Sequence, residues 1–169
     1  MAGGRRLRAW WSTLGGPMVV LTVLTACAGP YQYYGGTEVH DATTTEVVGE
    51  WENVEGTRVV FREDGTALFE KLDGQDFDFE NGWRLSGTGT WRLADGDGGQ
   101  VVRLTPTART RVERRSPATE TDAPALEPPS TYRWSFYVDR DRHDKLKLFF
   151  FHGDPDVGNT YVMTRGPVS

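Results

Sequence analysis

The 169-residue sequence holds one cysteine, three lysines and three histidines, and each scarcity narrows what the chain can be. A single cysteine permits no internal disulfide, so any fold must rest on its own core. No apolar run approaches the roughly 20 residues that a membrane-spanning helix needs. The main one, Met18–Leu24, is short and follows Gly15-Gly16-Pro17. The formal charge is −5, and the first 26 residues contribute three arginines and no acid, so residues 27–169 carry −8. A chain of that sign is a poor partner for nucleic acid, whose affinity is built on neutralised phosphates. Nor is there a catalytic signature. The only histidines beyond position 45 are His143 and His152, and neither sits in a nucleophile-elbow context.

What is present begins at the N-terminus. Arg5, Arg6 and Arg8 precede the apolar stretch, and Leu24-Thr25-Ala26-Cys27 follows it. A basic region, an apolar core and small residues before a cut are the parts of a secretory signal. With cysteine at the end, the layout resembles a bacterial lipoprotein signal, whose lipobox is cleaved before a cysteine that then carries diacylglycerol. The resemblance implies that residues 1–26 are removed and that Cys27 is the lipidation site. It places the chain on the extracytoplasmic face of the cell membrane. An ordinary leader would instead leave Cys27 as a lone thiol in an oxidising compartment. Arg5-Arg6 leaves Sec and twin-arginine export both open. Residues 27–45 read as the lipidated cysteine and a flexible tether, rich in Gly, Pro and Thr. Alternatively, Tyr31, Tyr33 and Tyr34 rest at the lipid interface, where an amphipathic ring is comfortable.

From Val47 the pattern is β. Strands are expected at 47–53, 57–62, 66–72, 85–93, 100–105, 131–138, 145–151 and 159–165, with no helix after the signal. Asp64-Gly65 is a hairpin turn. Leu85, Gly87, Gly89, Trp91 and Leu93 alternate onto one face, as do Tyr132, Trp134, Phe136 and Val138. About eight short strands joined by tight turns predict an all-β fold, an antiparallel meander closed into a barrel over residues 46–166. Residues 107–130 break the rhythm. They start basic and end in a Pro-rich stretch, 117–130, expected to be a mobile loop.

Gly49-Glu50-Trp51 on the opening strand resembles the Gly-x-Trp signature of lipocalin-like (calycin) barrels, in which the tryptophan packs across the closed end. Together with Phe61-Arg-Glu-Asp-Gly-Thr66, Gly89-Thr-Trp91 and the stretch Phe150–Tyr161, the chain is similar to small lipoproteins of actinobacterial type that carry a lipocalin-like domain. That likeness covers roughly residues 46–165. It implies a fold and a location, and no reaction.

Four polar groupings invite chemistry. Asp76, Asp78 and Glu80 would offer oxygens to Ca²⁺, although they lack the glycine and distal glutamate of an EF-hand. His152, Asp154 and Asp156 would suit a transition metal, although Asp-Pro and Gly-Asn are ordinary turn residues. A carboxylate pair for glycoside chemistry requires a separation that the sequence does not give. Arg103, Arg109, Arg111, Arg114 and Arg115 would meet anionic headgroups or wall polymers, or form a solvated strand face. No catalytic residue, metal site or cofactor is assigned, and the chain is expected not to be an enzyme. Two functions stay open. In one, the barrel binds a small apolar or amphipathic ligand at Trp91, Trp134 and Phe136, with Gly87 and Gly89 leaving room. In the other, the barrel is filled and works as an envelope structural or protein-interaction module.

Overall fold

A computed structural model of the chain describes residues 34–74, 82–115, 127–153 and 157–166. Residues 1–26, expected to be a signal segment, and Cys27 lie outside them. One short helix, α1 (Thr44–Val47), precedes eight strands: β1 (Gly49–Glu52), β2 (Arg58–Phe61), β3 (Thr66–Asp73), β4 (Trp83–Ala94), β5 (Val101–Arg114), β6 (Trp134–Arg140), β7 (Leu146–His152) and β8 (Asn159–Arg165). Each pairs antiparallel with its neighbour in sequence, and β1 pairs with β8 to close the barrel. The all-β meander is thus the architecture, and every expected strand has its counterpart.

Alternation explains the inside. Val59, Phe61, Ala67, Phe69, Leu85, Trp91, Leu104, Phe136, Leu148, Phe150 and Met163 all point inward and are buried. The turns are those the residues favour. Asp64 accepts from the Thr66 amide at 2.9 Å, and Asp141 does the same for His143 and Lys145.

The seam between β1 and β8 is short. It consists of Trp51 opposite Arg165 and Glu52 opposite Thr164. Side chains and flanking amides extend it. The Gly166 amide donates to the Glu50 carbonyl at 3.0 Å, and Asn53 Nδ2 to the Val162 carbonyl at 2.9 Å. The Arg165 guanidinium lies 5.1 Å from the Trp51 ring and donates to the Glu46 carbonyl. Trp51 is fully buried, and its Nε1 donates to the Val47 carbonyl at 2.8 Å. The indole therefore joins the first strand to α1, which caps that end of the barrel.

Three expectations are corrected. Residues 34–45 are not a free tether. The Glu38 amide donates to Gly98, the Gln100 amide donates to Val39, and the Gln100 side chain exchanges two hydrogen bonds with Ala42. α1 is a helix where none was expected. A capping box makes it, since Thr43 accepts from the Glu46 amide while Glu46 accepts from Thr43. Finally, β5 continues past Thr105 to Arg114. Only Val101–Leu104 pair with β6, so Pro106 stands where its other edge needs no ladder donor. Residues 117–126 lie outside the described chain. The remainder of the expected loop is held, with Pro128 buried and the carbonyls of Pro128 and Pro129 accepting from Arg109.

Trp51→Ala removes both the packing and the hydrogen bond at the seam. It should destabilise the domain by about 3–5 kcal/mol, read as the urea midpoint. A midpoint unchanged from wild type would put Trp51 outside the closure.

Candidate functional site

The interior residues singled out by the sequence do converge. Gly87, Gly89 and Trp91 occupy the inward face of β4, and Trp134 and Phe136 that of β6. What they meet is protein. Phe136 packs on Phe61 and Phe150, with ring centroids 6.4 and 5.6 Å away. Trp134 lies between Phe69 at 5.4 Å and Tyr132 at 4.9 Å, and Trp91 rests on Phe61 at 5.1 Å. Both indoles have their N–H satisfied. Trp134 Nε1 donates to the Asp73 carbonyl at 2.7 Å and Trp91 Nε1 to the Arg62 carbonyl at 2.9 Å.

The glycines do not leave room. A Cβ at Gly87 would overlap the Ala108 carbonyl oxygen, and one at Gly89 would sit 2.5 Å from the Thr105 carbonyl oxygen. The ladder between β4 and β5 shifts register at both places. There β5 folds its main chain against the glycines, and any side chain would exclude it. The physical ground for a ligand space at Gly87 and Gly89 is therefore absent.

At the end of the barrel opposite α1 lies a buried polar group. Asp73, 1% exposed, receives Arg84 Nε on Oδ1 at 2.9 Å and the Tyr161 hydroxyl on Oδ2 at 2.8 Å. Arg115 Nη1 approaches the same Oδ1 at 2.9 Å. Glu55 pairs with Arg84 and Arg115 from the rim, and Thr57 bonds Tyr161. Both carboxylate oxygens are thus engaged by cations or a phenol. Such a network ties β3, β4 and β8 to the residues that flank β2 and β5. Burial first, and Asp73 second, push the Tyr161 hydroxyl well above its ordinary value of 10.0. Alternation along the sequence does not reveal this group. A bulge between Phe69 and Leu72, with Lys71 at a positive φ of 51°, puts Leu72 and Asp73 out of the simple alternation.

The other candidates separate. Asp76, Asp78, Glu80, Asp154 and Asp156 lie outside the described residues. His152 ends β7 with its ring centroid 6.3 Å from that of Tyr161. Among the described residues, no group of three or more His, Cys, Asp and Glu is placed to hold a metal ion. His143 sits in an exposed turn, its Nε2 accepting from Arg142 at 3.1 Å. The basic run is not one surface. Arg115 is in the buried network, Arg109 holds the Pro128 and Pro129 carbonyls, and Arg111 pairs with Glu113 at 2.9 Å. Outside the barrel wall, depressions of about 360 and 500 Å³ open beside Arg92–Arg103–Arg133 and beside Glu46–Asp144–Arg165.

No family model, curated protein or solved structure matches the chain.

Gly87→Leu and Gly89→Leu should each cost roughly 1–3 kcal/mol or more through overpacking. Urea midpoints read this directly, and a stability unchanged by either would mean that β5 is not seated on β4 as described. A second expectation concerns alkali. The unfolded chain releases the Tyr161 proton near its ordinary value of 10.0, while the folded chain keeps it. The stability this gives is intact below pH 10 and is lost as pH rises further, with a limiting slope of about 1.4 kcal/mol per pH unit for one group. Urea midpoints from pH 9 to 11 should fall less steeply in Tyr161→Phe than in wild type. Parallel slopes would place the titration elsewhere.

Proposed function

We propose that the chain is a lipid-anchored lipoprotein of the extracytoplasmic membrane face, and that its barrel is a filled scaffold acting through its outer surface. The observation that carries this reading is the occupied interior. Trp51, Trp134, Phe61, Phe69, Phe136 and Phe150 are each 0–1% exposed and fill the space where a lipocalin-like carrier would hold its ligand. The Asp73 network supports the same reading, because it closes the end opposite α1 with ion pairs. The anchor rests on the order of basic residues, apolar stretch and Leu24-Thr25-Ala26-Cys27, and on Cys27 being the only thiol. On this reading the partners are the bilayer, through the acyl chains on Cys27, and an envelope component recognised from outside the barrel.

Two measurements test the two halves. Cys27→Ala should abolish incorporation of radiolabelled palmitate and leave the signal segment uncleaved. Labelling that survives the change would sink the anchor. For the scaffold, an apolar fluorescent probe should show no saturable one-site binding to the purified mature protein. Saturable binding with quenching of tryptophan emission would restore the ligand-carrier alternative, with Trp91, Trp134 and Phe136 as its lining.

A further inference from the structure

Outward positions of a barrel in water are expected to be polar. One row on this barrel is not. Ala94 stands opposite Val101, Val101 opposite Tyr137, Tyr137 opposite Phe149, and Phe149 opposite Val162. All five side chains leave the wall on its outer side, since their chain neighbours Val102, Phe136, Leu148 and Met163 point into the core. Phe149 faces outward and is nonetheless 7% exposed. Tyr137 stacks on it at 5.4 Å, and Tyr34 and Phe151 meet it edge-on at 6.1 and 5.8 Å. An apolar and aromatic row thus wraps one side of an otherwise charged surface.

The row beside it is cationic. Arg92 stands directly opposite Arg103, and Arg103 opposite Ser135, with Arg133 just ahead of β6. Like charges directly across a ladder destabilise it. The three arginines line the depression of about 360 Å³, with Thr90, Trp91, Thr105, Trp134 and Ser135. Among the described residues no carboxylate lies within ion-pair distance of any of the three, and two nearby acids have partners of their own. Asp139 takes Lys147 at 2.8 Å and Asp95 takes His40 at 2.7 Å. From Arg103 a second depression, with Asp95 and Asp97 on its far rim, runs on to Tyr34 and Tyr137. Three such cations next to tyrosines fit an external anionic surface with an apolar layer under it, an attraction local to this face because residues 27–169 carry −8 overall.

The chain itself brings such a surface close. Tyr34 lies on this face and is seven residues from Cys27. Seven residues reach at most about 25 Å when fully extended. A lipid on Cys27 therefore holds this side of the barrel near the bilayer.

We propose that the outer face of β4–β8 is the surface on which the anchored barrel lies against an anionic lipid bilayer. Headgroup phosphates sit among Arg92, Arg103 and Arg133, and Tyr34, Tyr137 and Val162, packed over or beside the buried Phe149, sit at the headgroup–acyl boundary, where amphipathic rings are favoured. This rests on the anchored reading above, and the test is arranged to separate the two. All eight strands and the core lie within residues 34–166, so a chain beginning at residue 28 carries the whole folded unit without the acylated cysteine. Its sedimentation with vesicles reports the face alone, while palmitate labelling of Cys27 reports the anchor alone.

At low salt the unacylated chain should sediment with phosphatidylcholine vesicles containing phosphatidylglycerol, and not with phosphatidylcholine alone. Arg92→Ala, Arg103→Ala and Arg133→Ala combined should weaken binding roughly a hundredfold, the product of three near-surface cations. The combination relieves repulsion on the ladder and should leave the circular dichroism unchanged. Arg62→Ala, Arg142→Ala and Lys145→Ala combined make the same change in net charge in the turns outside this face and should leave binding within a fewfold of wild type. Tyr137→Ser should weaken binding without altering its dependence on phosphatidylglycerol. The proposal fails if wild type does not bind the anionic vesicles, or if both arginine triples lose binding equally. It fails also if millimolar inorganic phosphate displaces the protein at constant ionic strength, which would make the depression a soluble-anion site. A concentration-dependent dimer abolished by Tyr137→Ser would assign the face to a second copy instead, and overturn it too.

Discussion

The barrel depends on how its first strand is fastened to its last. Two residue pairs make that ladder, far fewer than the pairs joining β4 to β5. So short a seam would fray if nothing else crossed it, because each ladder hydrogen bond contributes only about 0.5–1.5 kcal/mol net. Trp51 and Arg165 cross it from both sides. The indole buries its full area and donates into α1, and the guanidinium lies over the indole while donating into the same helix. Burial works against the charge on Arg165, with Glu46 partly offsetting it. The arrangement thus tolerates an unfavourable term to keep three elements in register. Arg140 adds a second clasp from β6, reaching Glu46 at 3.2 Å and Asp41 at 3.4 Å.

The two ends of the barrel solve the same problem by different chemistry. At the α1 end the chain lays a polypeptide lid on the strands, with Ala42 and Val47 buried beneath it. At the other end side chains alone do it, through Asp73 and its two arginines. A buried ion network is weak evidence for extra stability, since desolvation cancels much of the attraction. Its value here is geometric. Oδ1 and Oδ2 of one carboxylate fix Arg84, Arg115 and Tyr161 at set positions, and the Asp73 carbonyl fixes Trp134 as well. A slip of β3 by one residue would turn this carboxylate outward and leave Arg84 and Arg115 with Glu55 alone, and the Tyr161 hydroxyl without its acceptor.

Strand identity was legible because period-two alternation survives wherever a strand has one wet and one dry face. Leu85 to Leu93 and Tyr132 to Val138 are such cases, and Gly49-Glu50-Trp51 pointed to a buried tryptophan. The failures have definite causes. Gly87 and Gly89 looked like space because a sequence shows the absence of a side chain and not the carbonyl that occupies its place. Asp73 was hidden by a bulge, which changes the facing of residues without changing their order. β5 looked finished at Thr105 because Pro106 and four arginines follow. An edge with one partner accepts both proline and charge, so the composition there describes exposure more than it describes the end of a strand. The outer aromatic row was invisible for a related reason. Tyr137, Phe149 and Val162 each read as the odd member of an apolar run, and only the register lines them up.

The N-terminal segment was the largest misreading, and it alters what an anchor at Cys27 would do. A flexible tether of the 18 residues from 28 to 45 would span about 5–6 Å times the square root of its length, near 24 Å, and let the barrel turn freely. Instead Tyr34 is pinned on the outer aromatics, Glu38 on Gly98, Ala42 on Gln100, and Thr43 starts a helix that the first tryptophan holds. Each contact is modest. In series along one strand of chain they leave little freedom between Tyr34 and β1, because releasing one does not release its neighbours. An attachment before Tyr34 would therefore act on the barrel through the lead from Tyr34 to β1, and not through a tether reaching to residue 45. The segment's Gly and Thr content, read with its proline as looseness, suits this close packing. Small residues let the lead run against the turn at 96–99, and a tyrosine at its start gives it a wide, amphipathic foot.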